Sequence, residues 1–248
     1  MQWALAWIKV YDLTQDGNYL STAQEIFEDL KGGFGAPCDA QWWDKDHTAV
    51  NTVNNALYLS VAASLANRVA DDQKSEYQDA AASQLNWMFS HGLETSNNTL
   101  VDGLSLDDCS PQGAVYTYNQ GVILGAIVEM NKFNGDASLD KAAEIAQGAL
   151  DHLTSDGILT EFAADWGRDD TAAMFKGVFV RNLAILQGAR GNGNYVSFLQ
   201  QNADTLWAND RSSDGQLGAG WQGPVQAVSA PSHDSALDCL VAAAAVSS

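Results

Sequence analysis

The chain has 248 residues and carries 12 Lys+Arg against 31 Asp+Glu, a net charge of −19. Such an acidic chain repels phosphate, which argues against a nucleic-acid partner and against an anionic membrane surface. A composition of 46% hydrophobic and 17% charged residues suits a large buried core rather than disorder, and no apolar run reaches the roughly 20 residues of a membrane span.

In chain order, the first residues already read as helix. Met1-Gln-Trp-Ala-Leu-Ala-Trp-Ile8 has no basic leader and no small-residue cleavage site, so it is not a signal peptide. It reads as the interior of a helix entered without a cap, and the expectation is that further residues once preceded it. Uncharged or nearly uncharged helices are expected at 1–12, 51–66, 118–132, 176–189 and 233–246. Helices with a charged face are expected between them, at 18–31, 75–91, 137–153 and 194–209. The second kind opens on Tyr19, Tyr77, Leu139 and Tyr195, a recurrence of about 60 residues that suits a helical hairpin with its loops.

A helix that is apolar all round must be surrounded by protein. The alternation therefore predicts an all-α fold, an (α/α)6 toroid of inner and outer helices, incomplete at its N-terminal side, with 1–248 as a single domain. No stretch shows the alternation of a strand. Inner-to-outer turns such as Asn134-Gly-Asp136 are short. Outer-to-inner connections run to about 20 residues, a length that usually signals function. They carry Trp42, Trp43, Asp44, Asp102, Asp107, Asp108, Trp166, Asp169, Asp170 and Trp221.

The inner helices begin polar, with Asn51, Asn54 and Asn55; Tyr118, Asn119 and Gln120; Lys176, Arg181 and Asn182; and His233, Asp234 and Ser235. Polar tips rimmed by tryptophans describe a cleft able to stack a sugar ring and match its hydroxyls. The same residues would also serve to cap helices and satisfy loops. The chain offers three Asp-Asp pairs for carboxylate chemistry: Asp71-Asp72, Asp107-Asp108 and Asp169-Asp170, each also readable as a solvated loop pair.

Nothing in the sequence asks for a cofactor or a metal. There is no nucleophile elbow, no H-E-x-x-H and no phosphate loop. Cys38, Cys109 and Cys239 match no zinc spacing; they allow one bridge with a thiol left over, or three buried apolar residues. One glycosylation sequon, Asn97-Asn98-Thr99, lies in a loop.

Trp3-Ala-Leu-Ala-Trp-Ile8, Tyr116-Thr-Tyr-Asn-Gln-Gly121, Phe175-Lys-Gly-Val-Phe-Val-Arg-Asn-Leu183 and Ser235-Ala-Leu-Asp238 follow one another in an order that resembles glycoside hydrolase family 76, the α-1,6-mannanases. The resemblance implies an (α/α)6 toroid and retaining endo-hydrolysis, or transglycosylation, of α-1,6-linked mannan, by a protein outside the cell or at the cell wall. In that family the catalytic Asp-Asp pair stands just before the helix that begins here at Trp3, so no catalytic residue is assigned within this chain. Asp107 and Asp108 do not take its place merely by matching letters. The residues carried over as substrate-binding are Trp3, Trp43, Asp44, Asp102, Tyr118, Asn119, Lys176 and Arg181. Lys176 and Arg181 would alternatively pair with aspartates. The expected partner is mannan or a manno-oligosaccharide. The competing function is a carbohydrate-binding pseudoenzyme that lacks the acid pair. A terpene cyclase would need an Asp-rich ionising motif that the chain does not contain. An open ring would also expose inner-helix flanks, which predicts poor solubility or oligomers.

Overall fold

A computed structural model describes residues 1–135, 139–161, 171–226 and 228–247. The chain folds into two compact units. The first comprises Met1–Thr95, Leu100–Ala114 and Ala126–Ser138; the second comprises Ser96–Thr99, Val115–Gly125 and Leu139–Ser248.

In the first unit, α1 (Gln2–Thr14), α2 (Gly17–Lys31), α3 (Thr52–Ala66) and α4 (Lys74–Ser90) follow the expected alternation. All fifteen residues of α3 are buried, which is why its sequence holds no charge. Helix α2 buries only Ala23 and Phe27 and is capped by Asp16, whose carboxylate accepts from Asn18 N at 3.0 Å. Phe27 stacks on Tyr58 at 5.0 Å and tilts against Tyr77 at 5.1 Å, so one ring cluster joins α2, α3 and α4. Helix α5 (Thr117–Asn131) supplies its second half to this unit.

The C-terminal ends of α1, α3 and α5 meet at Arg68. Its guanidinium donates to both carboxylate oxygens of Asp12, at 2.7 and 2.8 Å, and to Glu129 at 3.1 Å. These helices therefore run in the same direction, as a layer of inner helices requires. Three two-residue strands, β1 (Val50–Asn51), β2 (Gly103–Leu104) and β3 (Pro111–Gln112), pair antiparallel in that order. Val50 faces Leu104, and Leu104 faces Pro111. A Cβ on Gly103 would collide with the Val50 carbonyl, so only glycine fits there. Cys38 and Cys109 form a disulfide that ties the loop after α2 to the loop after β2. The Trp87 indole braces it by donating to the Cys38 carbonyl at 2.7 Å.

In the second unit, the first half of α5 is joined by α6 (Leu139–His152), α7 (Phe175–Arg190), α8 (Val196–Asn209) and α9 (Ala230–Val246). Gly191 ends α7 in the left-handed conformation at φ 63°, and a Ser229–Ser232 capping box with Pro231 opens α9. The strands β4 (Thr154–Ser155) and β5 (Ile158–Leu159) form a tight hairpin. Gly121 of α5 lies against the α7 backbone, where an added Cβ would sit 2.6 Å from Phe179 Cα. Gly177 N of α7 donates to Ser235 Oγ of α9 at 2.9 Å, so the first turn of α7 meets the second turn of α9.

All nine expected helices are present, with ends shifted by at most three residues. The short strands are the difference: two-residue ladders are too brief to leave an alternating pattern in a sequence. Cys239 is the buried free thiol.

Candidate saccharide-binding site

Two groups of polar and aromatic residues occur at inner-helix N-termini, one in each unit. In the first unit, the loop after α2 is fastened from below by the tip of α3. Asn54 Nδ2 donates to the carbonyls of Gln41 and Trp42, both at 3.0 Å. Asn55 Oδ1 accepts from Gln41 N at 3.0 Å and from Gln84 Nε2 at 3.1 Å. These asparagines thus hold the loop and do not face a ligand, in keeping with the satisfying role that polar helix tips also allow. The Trp42 ring stacks on His47 at 4.6 Å, and Trp43 N donates to Ala49 O at 2.9 Å.

The fixed loop borders a cavity of about 330 Å³ whose walls include Asp29, Gln41, Trp42, Trp43, Asp44 and His47. Trp43 is 51% exposed, so part of its ring is open to stacking. Gln41 is almost fully buried; its Nε2 donates to Leu30 O at 2.7 Å, while its Oε1 accepts no hydrogen bond. Its burial keeps that oxygen out of reach of a ligand, so Gln41 serves the loop and not the cavity. Asp44 accepts from Thr48 N at 3.0 Å and from Thr48 Oγ1, and these bonds hold its carboxyl below the usual range. A stacking ring and an ionised carboxylate are groups that bind a sugar's C–H face and hydroxyls.

Of the other expected residues in this unit, Asp102 accepts from Asn51 Nδ2 at 2.9 Å, and its carbonyl accepts from Thr52 N at 2.6 Å. Trp3 is exposed on α1, with its ring 6.5 Å from Trp7, and is not among the cavity walls. Asp107 and Asp108 are exposed, and Asp108 closes a turn by accepting from Ser110 N and Oγ. Asp71 and Asp72 are likewise exposed, with Asp71 paired to Lys74 at 2.7 Å. Trp166, Asp169 and Asp170 lie outside the described residues.

In the second unit, Tyr118 is half-buried and packs on Phe175, with ring centroids 4.1 Å apart, and on Tyr116 at 5.7 Å. Asn119 and Lys176 are fully buried. The Lys176 ammonium lies 4.1 Å from the centre of the Trp221 ring and donates to Leu159 O at 3.4 Å. Burial draws its pKa down to about 7, against the pull of the carboxylates of Asp210 and Glu161. Burial also raises the Asp210 carboxyl, whose Oδ2 accepts from Trp221 N at 2.8 Å. Arg181 pairs with Asp238 at 2.9 Å, the aspartate partnership that was one of its two expected roles.

Gln41 and Glu161 are polar residues that sequence reasoning missed. Gln41 had one signal, its place beside Trp42 and Trp43. Glu161 had none, because its role depends on Thr117, far away in the chain. Among the described residues no three His, Cys, Asp or Glu side chains are grouped to hold a metal ion, and no helix is long and apolar enough to cross a membrane.

Among curated proteins, none matches the chain. Solved structures do. The Lin0763 protein from Listeria innocua matches with a TM-score of 0.85 at 26% identity, over 98% of this chain and 70% of its own. The GH76A α-1,6-mannanase from Salegentibacter sp. HEL1_6 matches with a TM-score of 0.83 at 24% identity, over 97% of this chain and 73% of its own. An inactive variant of that enzyme, altered at two aspartates, was solved with α-1,6-mannotriose and matches equally well, with a TM-score of 0.83. These likenesses agree with the all-α toroid read from the helix pattern. The profile of glycosyl hydrolase family 76 matches residues 1–242, nearly the whole length, and the chain therefore belongs to glycosyl hydrolase family 76.

Proposed function

We propose that the protein binds α-1,6-linked mannan or manno-oligosaccharides and, as a retaining endo-acting glycosidase, hydrolyses or transfers them outside the cell or at the cell wall. The observation that carries this reading is the cavity in the first unit, where half-exposed Trp43 stands with ionised Asp44. An α-1,6-mannanase of the same fold supports the choice of sugar. Trp43 stacks the pyranose face, and Asp44 accepts hydrogen bonds from the hydroxyls. In its own unit Tyr118 offers a second aromatic face, while Asn119 and Lys176 are buried and Arg181 pairs with Asp238.

A second reading, a carbohydrate-binding pseudoenzyme, is favoured by the state of the described Asp-Asp pairs. Asp71-Asp72 and Asp107-Asp108 are exposed turn residues, not the converging carboxylates that glycoside hydrolysis needs. Incubation with α-1,6-mannan, with products followed by chromatography and anomeric NMR, separates the two. The glycosidase reading expects shorter or transferred α-linked products with the anomeric configuration kept. Binding in calorimetry without any product establishes the pseudoenzyme, and neither binding nor product removes both.

A further inference from the structure

A second cavity, of about 360 Å³, lies in the second unit at the start of α9, walled by Gln216, Val228, Ser229, Ala230 and His233. The hairpin on one side of it is set by its own sequence. Arg211 bridges to Leu217, Ser212 N donates to Gln216 O at 2.8 Å, and Gly215 closes the turn at φ 81°, where a side chain would be strained. Both backbone groups of buried Leu217 are then tied to α9. Its carbonyl accepts from Ser232 Oγ at 3.2 Å, and its N–H donates to His233 Nδ1 at 3.1 Å. The wall is thus anchored, and little ordering remains to be done when a ligand arrives.

The bond to His233 decides what its ring can do. A backbone N–H only donates, so Nδ1 is the acceptor and the ring carries its proton on Nε2. With Nδ1 committed to Leu217, the open polar atom of His233 is the Nε2 donor. Nε2 makes no hydrogen bond among the described residues, and neither does the exposed side-chain amide of Gln216, which adds donors and an acceptor. Val228, 40% exposed, and Ala230 supply an apolar wall. Asp214 in the hairpin turn and Asp234 beside His233 are exposed, and the chain carries a net charge of −19, so an anion is opposed here. A donor, an amide and an apolar wall in acidic surroundings suit a neutral ligand with hydroxyls and C–H groups.

We propose that this cavity is a second saccharide subsite, in which His233 donates from Nε2 to a sugar hydroxyl, Gln216 bonds a neighbouring hydroxyl and Val228 lies against ring C–H groups. This rests on the saccharide-binding reading above and adds to it a contact separate from Trp43.

The test is NMR of the full chain titrated with α-1,6-mannotriose, following the ring nitrogens of His233, the side-chain amide of Gln216 and the indole N–H of Trp43. Before sugar is added, His233 is expected to show the Nε2–H tautomer. With sugar, the His233 and Gln216 signals are expected to move, and to go on moving in Trp43→Ala. His233→Asn keeps an acceptor near the Nδ1 position for Leu217 N and deletes the Nε2 donor; affinity read at Gln216 should fall about two- to tenfold, the range of one hydrogen bond. Gln216→Ala removes an exposed side chain that bonds nothing in the fold, and affinity read at His233 should fall by a similar factor. Movement at Trp43 with none at His233 and Gln216, or affinities untouched by both variants, overturns the proposal and leaves the first cavity standing. Inorganic phosphate that moves the two signals where mannotriose does not makes the cavity an anion site and also overturns it. Stillness at all three groups removes the saccharide reading itself, and this subsite with it.

Discussion

Gly121→Ala adds one methyl group where α5 meets α7. The new Cβ would lie 2.6 Å from Phe179 Cα and from the Val178 carbonyl oxygen, and 2.8 Å from Phe179 N. All three are backbone atoms, so no flexible side chain can swing aside. Overpacking of this kind costs about 1–3 kcal/mol, and more where the backbone must move. The better helix propensity of alanine offsets about 1 kcal/mol of that. A net loss of about 2 kcal/mol lowers the melting temperature by roughly 4–8 °C for a chain of this size. Gly188→Ala is the matched control, since nothing lies within 4 Å of its added Cβ on the exposed side of α7. There the propensity gain stands alone, about 0.5–1 kcal/mol, and melting rises by roughly 1–4 °C. Scanning calorimetry of both variants gives the answer. A Gly121→Ala protein that melts at or above the wild type refutes the close α5–α7 packing on which the placement of Tyr118 depends.

Three further expectations follow from named contacts. Replacing Cys38 and Cys109 with serine opens a loop spanning 71 residues, which chain entropy values at about 4 kcal/mol, so melting should drop by well over 5 °C in non-reducing buffer and little further in reductant. Lys176 has its pKa lowered from 10.5 to about 7 on folding, so between those values the unfolded chain binds a proton that the native one does not. Its contribution to stability therefore rises with pH across that window, and urea unfolding at pH 7 and 9.5 should show this rise in the wild type and not in Lys176→Met. The Arg181–Asp238 pair is partly exposed, so a double-mutant cycle with Arg181→Met and Asp238→Asn should return a coupling of about 1 kcal/mol or less; a much larger value would mean that the pair is buried more deeply than it is here.

The helices were legible because burial writes itself into charge: α3 is buried at every position and carries no charged residue, while α2 buries only Ala23 and Phe27 and is charged elsewhere. The polar helix tips were legible as a class, but their separate roles were not. Asn54 and Asn55 turn out to hold the Gln41–Trp42 backbone, a task fixed by where a loop returns in space. The same holds for Glu161, whose partner Thr117 is 44 residues away, and for the choice of Cys38 and Cys109 among three cysteines. The short β1–β3 ladder escaped notice because two residues cannot show a period. Trp43 and Asp44 were readable from composition and placement, and the structure brings them to one cavity.

Whether that cavity takes a sugar is measured directly by calorimetric titration with α-1,6-mannotriose. The wild type is expected to bind. Trp43→Ala should lose about two- to tenfold in affinity, the scale of a lost aromatic stacking contact. Trp207→Ala, which removes a similarly exposed ring stacked by Arg211 on the surface of α8, should bind like the wild type. No heat from the wild type, or a Trp43→Ala protein that binds as tightly, would contradict the assignment.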